Sequence, residues 1–310
     1  MRKINAKVIV IFPYGGFKAG SSSERLFWRI VEVAQRVTTI PPAVIVLNSD
    51  TVRKGQAKAF LRDPRHAKLD VVVAWSVDTC QMWLHGWGHV LDTCRRKRLD
   101  RVIQFPGDIE RLEDEQAFLG QLEVFATLGG WSLAVGEFQI GGRFGAKSLI
   151  DQYGTYPLMS IWFPELTRSV LSLPLNRPRS EFLNLDAKTL DMLLLERKFA
   201  YEQTINMLIS CWDSKSATWK RGVRVTPHQL GTLQDNDSQR HYIGCLDQIE
   251  RTERMLKLRW REVNSPGPNA KDAEYSRFIE TFHRLDRLST ASRESAAITI
   301  RSLLGIGTIA

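Results

Sequence analysis

The stretch RVIQFPGDIE, residues 101–110, decides how the first third of this chain is read. Val102, Ile103 and Phe105 form a short apolar run of the kind found in a strand buried on both faces. Pro106-Gly107 stops the run, because proline cannot donate to a strand ladder and glycine permits a sharp change of direction. Two carboxylates follow, Asp108 and Glu110. An acidic tip on a buried strand is either an ordinary turn or a place where a cation and an anionic ligand meet.

Working outward, the preceding residues alternate strand and helix. KVIVIFPYG, AVIVLNSD and LDVVVAWSVD are Val/Ile-rich runs ending in polar residues. SSERLFWRIVEVAQRV carries Leu26, Ile30, Val33 and Val37 on one helical stripe behind serine caps, and QMWLHGWGHVLDTCRRKR is mostly helical. Near-continuous apolar strands separated by helices predict a parallel sheet covered on both faces, an α/β fold. Ligands of such sheets bind beyond the carboxyl ends of the strands. The candidates there are Pro13, Tyr14 and Gly15, then Asn48, Ser49 and Asp50, then Asp78 and Asp108.

FPYGGFKAG lacks the GxGxxG spacing and no GxxxxGK[ST] occurs, which disfavours a dinucleotide or P-loop site. Beyond residue 110, QAFLGQLEVFATLGG reads as helix, SLAVGEFQI as a strand ending near Glu137, and FLNLD and RGVRV as further strands. Apolar residues make up 43% of the 310, enough for a sizeable core and too many for global disorder. No run approaches the roughly 18 apolar residues of a membrane span. The apolar run after MRKINAK ends at Pro13 and reads as a first strand, not a signal peptide, so a soluble cytoplasmic protein is expected.

Cys80, Cys94, Cys211 and Cys245 show no CxxC spacing, which argues against a zinc cluster or disulfide framework. The net charge of +9 asks for an anionic partner. Its basic residues are dispersed, RRKR at 95–98 being the one tight run, and this reads as a solvated helix end and not as a nucleic-acid surface.

The order of parts resembles the GT-A glycosyltransferases that use nucleotide-diphosphate sugars, on the side of the polyprenyl-phosphate mannosyltransferases and mannosylglycerate-type synthases. LNSD (47–50) resembles the strand end that meets the base, GWGHVLDTC (86–94) the GKGxAL helix, VIQFPGDIE the strand ending in DxD, and NRPRSEFLNLDAKTLDML the acceptor-side strand. FAYEQTIN resembles the GIDTxL helix, and VRVTPHQLG with RHYIG the strand and histidine that close the metal site. The chain departs from these patterns at Pro106, where the first DxD carboxylate is missing, at Trp87 in place of the GKG lysine, and at Glu181 in place of a glycine.

The resemblance implies a metal-dependent hexosyltransferase. Mg²⁺ or Mn²⁺ would be held by Asp108 with His241 (or His228), since hard cations take carboxylate oxygens and Mn²⁺ tolerates nitrogen. Pro13, Tyr14, Asp50, Asp78, Gly107 and Asp108 would contact the nucleotide sugar. Glu202 or Glu137 would serve as general base if the transfer inverts. Arg143, Arg177 and Arg179 would hold an anionic acceptor.

Ordinary roles compete for the same residues. Asp108 would equally cap the helix before ERLEDEQAF, Asp50 would open an Asx turn, and the glutamates and arginines would sit in solvent. Tyr153, Tyr156, Trp162 and Phe163 are a sugar platform or a helical core pair, and Gly142, Gly145 and Gly154 suggest a closing loop. Two further readings keep the fold: a non-catalytic nucleotide-sugar-binding or assembly protein, or transfer to a lipid phosphate by peripheral contact at a membrane surface.

The expected division is residues 1–250 as nucleotide-sugar and acceptor domain and 251–310 as a helical extension. The Phe278, Phe282, Leu285 and Leu288 stripe of that extension is suited to pack on the main domain or to form a homodimer.

Overall fold

The computed structural model describes residues 3–12, 17–48, 62–75, 79–107, 109, 112, 114–138, 159, 162–163, 182–195, 207, 209, 219–225, 252, 254–256 and 258–259. Spatially the chain divides into two compact units, where the sequence suggested a break at 250. One comprises 1–139 and 180–233, the other 140–179 and 234–310.

The first unit is built on one seven-stranded sheet. Its strands are β1 (Ala6–Phe12), β2 (Ala43–Asn48), β3 (Asp70–Trp75), β4 (Arg101–Phe105), β5 (Leu133–Phe138), β6 (Leu183–Asp186) and β7 (Trp219–Val225). They lie in the order β3-β2-β1-β4-β6-β5-β7. β6 runs antiparallel to β4 and β5; every other pairing is parallel. The α/β fold and the mostly parallel sheet expected from the sequence are what the structure has.

Among the described residues four α-helices cover the sheet: α1 (Ser22–Val37), α2 (Thr79–Lys97), α3 (Glu115–Ala126) and α4 (Ala187–Leu195). α1 packs with α3, and α2 with α4. The β1-α1-β2 and β3-α2-β4 connections travel in opposite directions across the sheet, so right-handed crossovers put α1 and α2 on opposite faces. Every residue of β1 is buried, as is required of a strand covered twice.

Local chemistry sets the helix ends. Ser21 caps α1, its hydroxyl accepting from the Glu24 N–H at 3.2 Å. Ion pairs from Arg25 and Arg29 to Glu115 and from Arg36 to Glu123 tie α1 to α3 along their length. α2 ends in a Schellman turn, with Leu99 N–H donating to Cys94 O at 2.9 Å and Arg98 at φ 51° where glycine is usual.

Of the second unit, Met159, Trp162, Phe163, Thr252, Met255, Leu256 and Arg259 are buried. Trp162 and Phe163 are therefore core side chains, and this burial corrects the idea that they offer open faces to a sugar.

Candidate functional site

In an open α/β sheet the ligand crevice forms where successive connections leave in opposite directions. Here the chain moves from β1 to β2 and β3, then returns to β4 on the other side of β1. By that rule the crevice is expected beyond the carboxyl ends of β1 and β4, at Phe12 and Phe105.

The chain after Phe105 crosses this opening very close to β1. Pro106 and Gly107 are buried, and a Cβ on Gly107 would lie 1.9 Å from the carbonyl oxygen of Ile11 and 2.9 Å from Phe27 Cδ2. The first obstacle is backbone and cannot swing aside, so only glycine fits. Ile109, 1% exposed, anchors the chain again two residues on. Asp108 stands between these two fixed residues in sequence and itself lies outside the described residues.

The structure also decides one of the competing roles for Asp108. The cap of α3 is Asp114, whose carboxylate accepts from the Ala117 N–H at 2.8 Å. Asp108 is therefore not the cap of the helix that carries EQAFLGQL.

Around the end of β1 an aromatic cluster sets the walls. Phe12 meets Phe17 edge to face at 5.2 Å and Phe27 at 5.7 Å, while Phe17 and Phe27 lie tilted to each other at 5.0 Å. Phe12 and Phe17 thus hold together the two ends of the segment that contains Pro13 and Tyr14.

The N-terminus of α1, which opens at this same edge, is already occupied by its own carboxylate. Gly20 N–H donates to Glu24 Oε2 at 2.9 Å, and this bond, with the Arg65 guanidinium, holds the Glu24 carboxyl below its ordinary range. A phosphate at this helix end would have to displace Glu24, which agrees with the lack of a GxGxxG turn.

Glu137 belongs to the same edge. β5 is parallel to β4 with β6 between them, so the carboxyl ends of β4 and β5 are about 10 Å apart at roughly 4.8 Å per strand. The β5–β7 register shifts between Val135 and Glu137, a bulge of the kind that re-aims side chains beside sites. Gly136 makes it sterically possible, since a Cβ there would come within 2.5 Å of Phe182 Cβ.

The GWG element of α2 turns out to be packing. Trp87 is fully buried, and a Cβ on Gly86 would already touch Ile45 at 3.0 Å. At the position where the resemblance has a lysine, this chain has a core side chain.

Among the described residues no group of three or more His, Cys, Asp or Glu could hold a metal ion, and no helix is long and apolar enough to cross a membrane. Pro13, Tyr14, Asp50, Asp78, Asp108, Arg143, Arg177, Arg179, Glu202, His228 and His241 lie outside the described residues, as does the stripe from Phe278 to Leu288; of Glu137 only the backbone is described.

Sequence reasoning missed a charged cluster at the opposite edge. Lys7 is 2% exposed and donates to Asp70 Oδ2 at 2.7 Å and to Pro41 O at 2.8 Å. Asp70 also meets His89 Nε2, at 3.1 Å. The available signal was a lysine inside an otherwise apolar strand, KVIVIF.

No family model matches the chain, and no curated protein matches it in sequence. Among solved structures it is similar to a mannose-1-phosphate geranyltransferase from Thermus thermophilus, with 10% identity, TM-score 0.38, and coverage of 74% of this chain and 75% of that one. It is similar to a cytidylyltransferase from Leptospira borgpetersenii serovar Hardjo-bovis, with 10% identity, TM-score 0.36, and coverage of 86% and 99%. Mouse xyloside xylosyltransferase 1 follows, with 10% identity, TM-score 0.29, and coverage of 70% and 84%. These likenesses are too distant to bear on what the chain does.

Proposed function

We propose that the chain is a nucleotide-diphosphate-sugar transferase that moves a hexose to a small anionic acceptor with the help of a divalent metal. The observation that carries this reading is the β1/β4 crevice: chain order reverses there, and Gly107 is pressed against the Ile11 carbonyl at the tip that leads into Asp108. Asp114 takes the cap of α3, so of the two ordinary roles weighed for Asp108 the cap is taken by another residue.

In this proposal Pro13, Tyr14, Asp50 and Asp78, which follow β1, β2 and β3 in the chain, contact the nucleotide. Asp108 supplies a hard oxygen ligand to Mg²⁺ or Mn²⁺, and His241 is the second ligand on its sequence resemblance alone. The metal would supply charge neutralisation to the departing diphosphate. Glu137 and Glu202 are the candidates for accepting the acceptor's proton, and Arg143, Arg177 and Arg179 for orienting an anionic acceptor by bidentate contacts.

The test is a thermal-shift panel of UDP, GDP, ADP and their sugars, with and without Mn²⁺, on the wild type and on Asp108→Ala. One nucleotide should raise the midpoint only with metal, and Asp108→Ala, with an unchanged midpoint of its own, should lose that response. Silence with every nucleotide would sink the reading.

A further inference from the structure

At the opposite, amino-terminal edge of the sheet lies a groove of about 520 Å³, within the range of small-molecule sites. Lys3, Asn5, Asp100 and Arg101 give it polar groups, and Ile4 and Leu128 contribute apolar wall. Ala6 and Arg101, the first residues of β1 and β4, pair side by side here.

Arg101 is held in place by neutral partners only. Its Nε donates to Asn184 Oδ1 at 2.8 Å and its Nη1 to Trp131 O at 3.1 Å, while Nη2 is buried with no hydrogen-bond partner among the described residues. The two neighbouring carboxylates each accept a hydrogen bond from another group. Asp186, opposite Arg101 in the β4–β6 register, accepts from the Thr189 N–H at 2.5 Å, and Asp100 accepts from Asn5 Nδ2 at 3.3 Å. Among the described residues no carboxylate forms an ion pair with Arg101. Burial pulls its guanidinium below the ordinary value, against the attraction of Asp186 and Asp100. Nη1 carries a second N–H beyond the one given to Trp131, so a half-buried guanidinium with no carboxylate paired to it among the described residues is a cation that an anion in the groove can complement.

The other charges at the groove do not reverse this. Asp100 is exposed and screened by water, so its repulsion of an incoming anion is weaker than the pull of the less solvated Arg101. Carbonyls at the end of α3 are already capped: Val124 O accepts from Thr127, and Phe125 O and Leu128 O accept from Asn184 Nδ2. Lys3 adds a second cation, whose Nζ makes a long contact of 3.5 Å to Gln35 O.

We propose that this groove binds a small amphipathic anion, its carboxylate or phosphate oxygens meeting Arg101 and its apolar body lying against Ile4 and Leu128. The site is separate from the β1/β4 crevice, about 20 Å away along β1 at roughly 3.3 Å per residue, and stands whether or not that crevice takes a nucleotide sugar.

The test uses the full chain with four probes: hexanoate, hexyl phosphate, hexanol and inorganic phosphate. Two variants accompany it. Arg101→Gln removes the charge. Gly129→Phe is chosen to narrow the groove from a position where a Cβ meets nothing within 4 Å.

One of the two hexyl anions should raise the unfolding midpoint by about two degrees or more at millimolar concentration, with hexanol giving no response. Which anion responds identifies the head group. The response should vanish in Gly129→Phe, whose own midpoint stays that of the wild type, and affinity should fall about tenfold or more in Arg101→Gln, the loss of one charge-assisted contact. An equal shift with hexanol or with inorganic phosphate, a response that survives in Gly129→Phe, or no response to either hexyl anion would overturn the proposal.

Discussion

The two edges of the central sheet are made of different chemistry. At the amino-terminal edge the strands begin in charged and amide side chains: Lys7 with Asp70 and His89, Asn5 with Asp100, Arg101 with Asn184. At the carboxyl-terminal edge aromatic rings and glycines stand out, Phe12, Phe17 and Phe27 around the end of β1, Gly107 beyond β4 and Gly136 in β5, with the Glu24–Arg65 pair beside the start of α1. Polar cross-links between strands stabilise, and once satisfied they leave little for a ligand to bind. Glycines that bring backbone close to backbone shape an opening and leave carbonyls and amides within a ligand's reach. The comparison therefore assigns a stabilising role to one edge, while the proposed function puts the chemistry at the other, with the Arg101 groove as the exception within the stabilising edge.

The largest expected effect lies at the amino-terminal edge. Asp70→Ala would strand the Lys7 ammonium, 2% exposed, leaving it the Pro41 carbonyl as its partner among the described residues. Removing one member of a buried pair typically costs about 3–5 kcal/mol, and since Asp70 is itself partly hydrated the loss should fall near ~3 kcal/mol. Urea unfolding of the variant checks it. A loss below about 1 kcal/mol, the scale of an exposed pair, would mean that the stabilising role assigned to this edge is wrong.

Next is Gly107→Ala at the opposite edge. Its methyl group would collide with the Ile11 carbonyl, so β1 and the β4 tip must separate. Overpacking of this kind costs about 1–3 kcal/mol, less than the stranded lysine, but it moves the tip that leads to Asp108. Nucleotide-induced stabilisation should fall by more than the fold does. Gly88→Ala is the control, because a Cβ there meets nothing within 4 Å and should improve α2 slightly. Equal effects from the two substitutions would remove the special status of Gly107.

Much of this contrast was legible in the sequence, and the remainder has identifiable causes. The strands VIVIF, AVIVL, DVVVAW and RVIQF announce themselves because burial on both faces leaves no polar alternation. The reversal of β6 is not legible in LNLD, since strand direction is set by which neighbours it joins. Lys7 opens the first strand as read from the sequence, but its partner is 63 residues away, and only the β1-β2-β3 neighbourhood brings them together. Asp108 was weighed as a cap for the helix that follows it, and the Asp114–Ala117 bond gives that role to a residue the sequence reading did not name. Pro106-Gly107 was read as the stop of its strand, and β4 does end at Phe105, but the steric reason for Gly107, the Ile11 carbonyl, belongs to another strand.

The smallest effect is a pH dependence that isolates the Lys7–Asp70 pair. Burial alone would raise the Asp70 carboxyl, but the Lys7 hydrogen bond and charge, joined by His89, outweigh it and hold the group below its ordinary value of 3.8. A carboxylate with a depressed folded value stabilises the fold above its unfolded value, and that contribution is lost as pH falls through the folded one. Asp63, held at about 2 chiefly by the hydrogen bond from Arg65, titrates in the same acid range, so a wild-type curve alone cannot separate the two. Asp70→Asn can, because both proteins keep Asp63 and both keep Lys7 buried. Above the ordinary value of 3.8 the wild type should be the more stable. As pH drops below it, protonated Asp70 comes to resemble the asparagine, and the gap between the two urea midpoints should close. A gap that stays constant or widens toward acid would show that the Asp70 charge contributes nothing, leaving the amino-terminal edge to be held by its packing and its amide bonds.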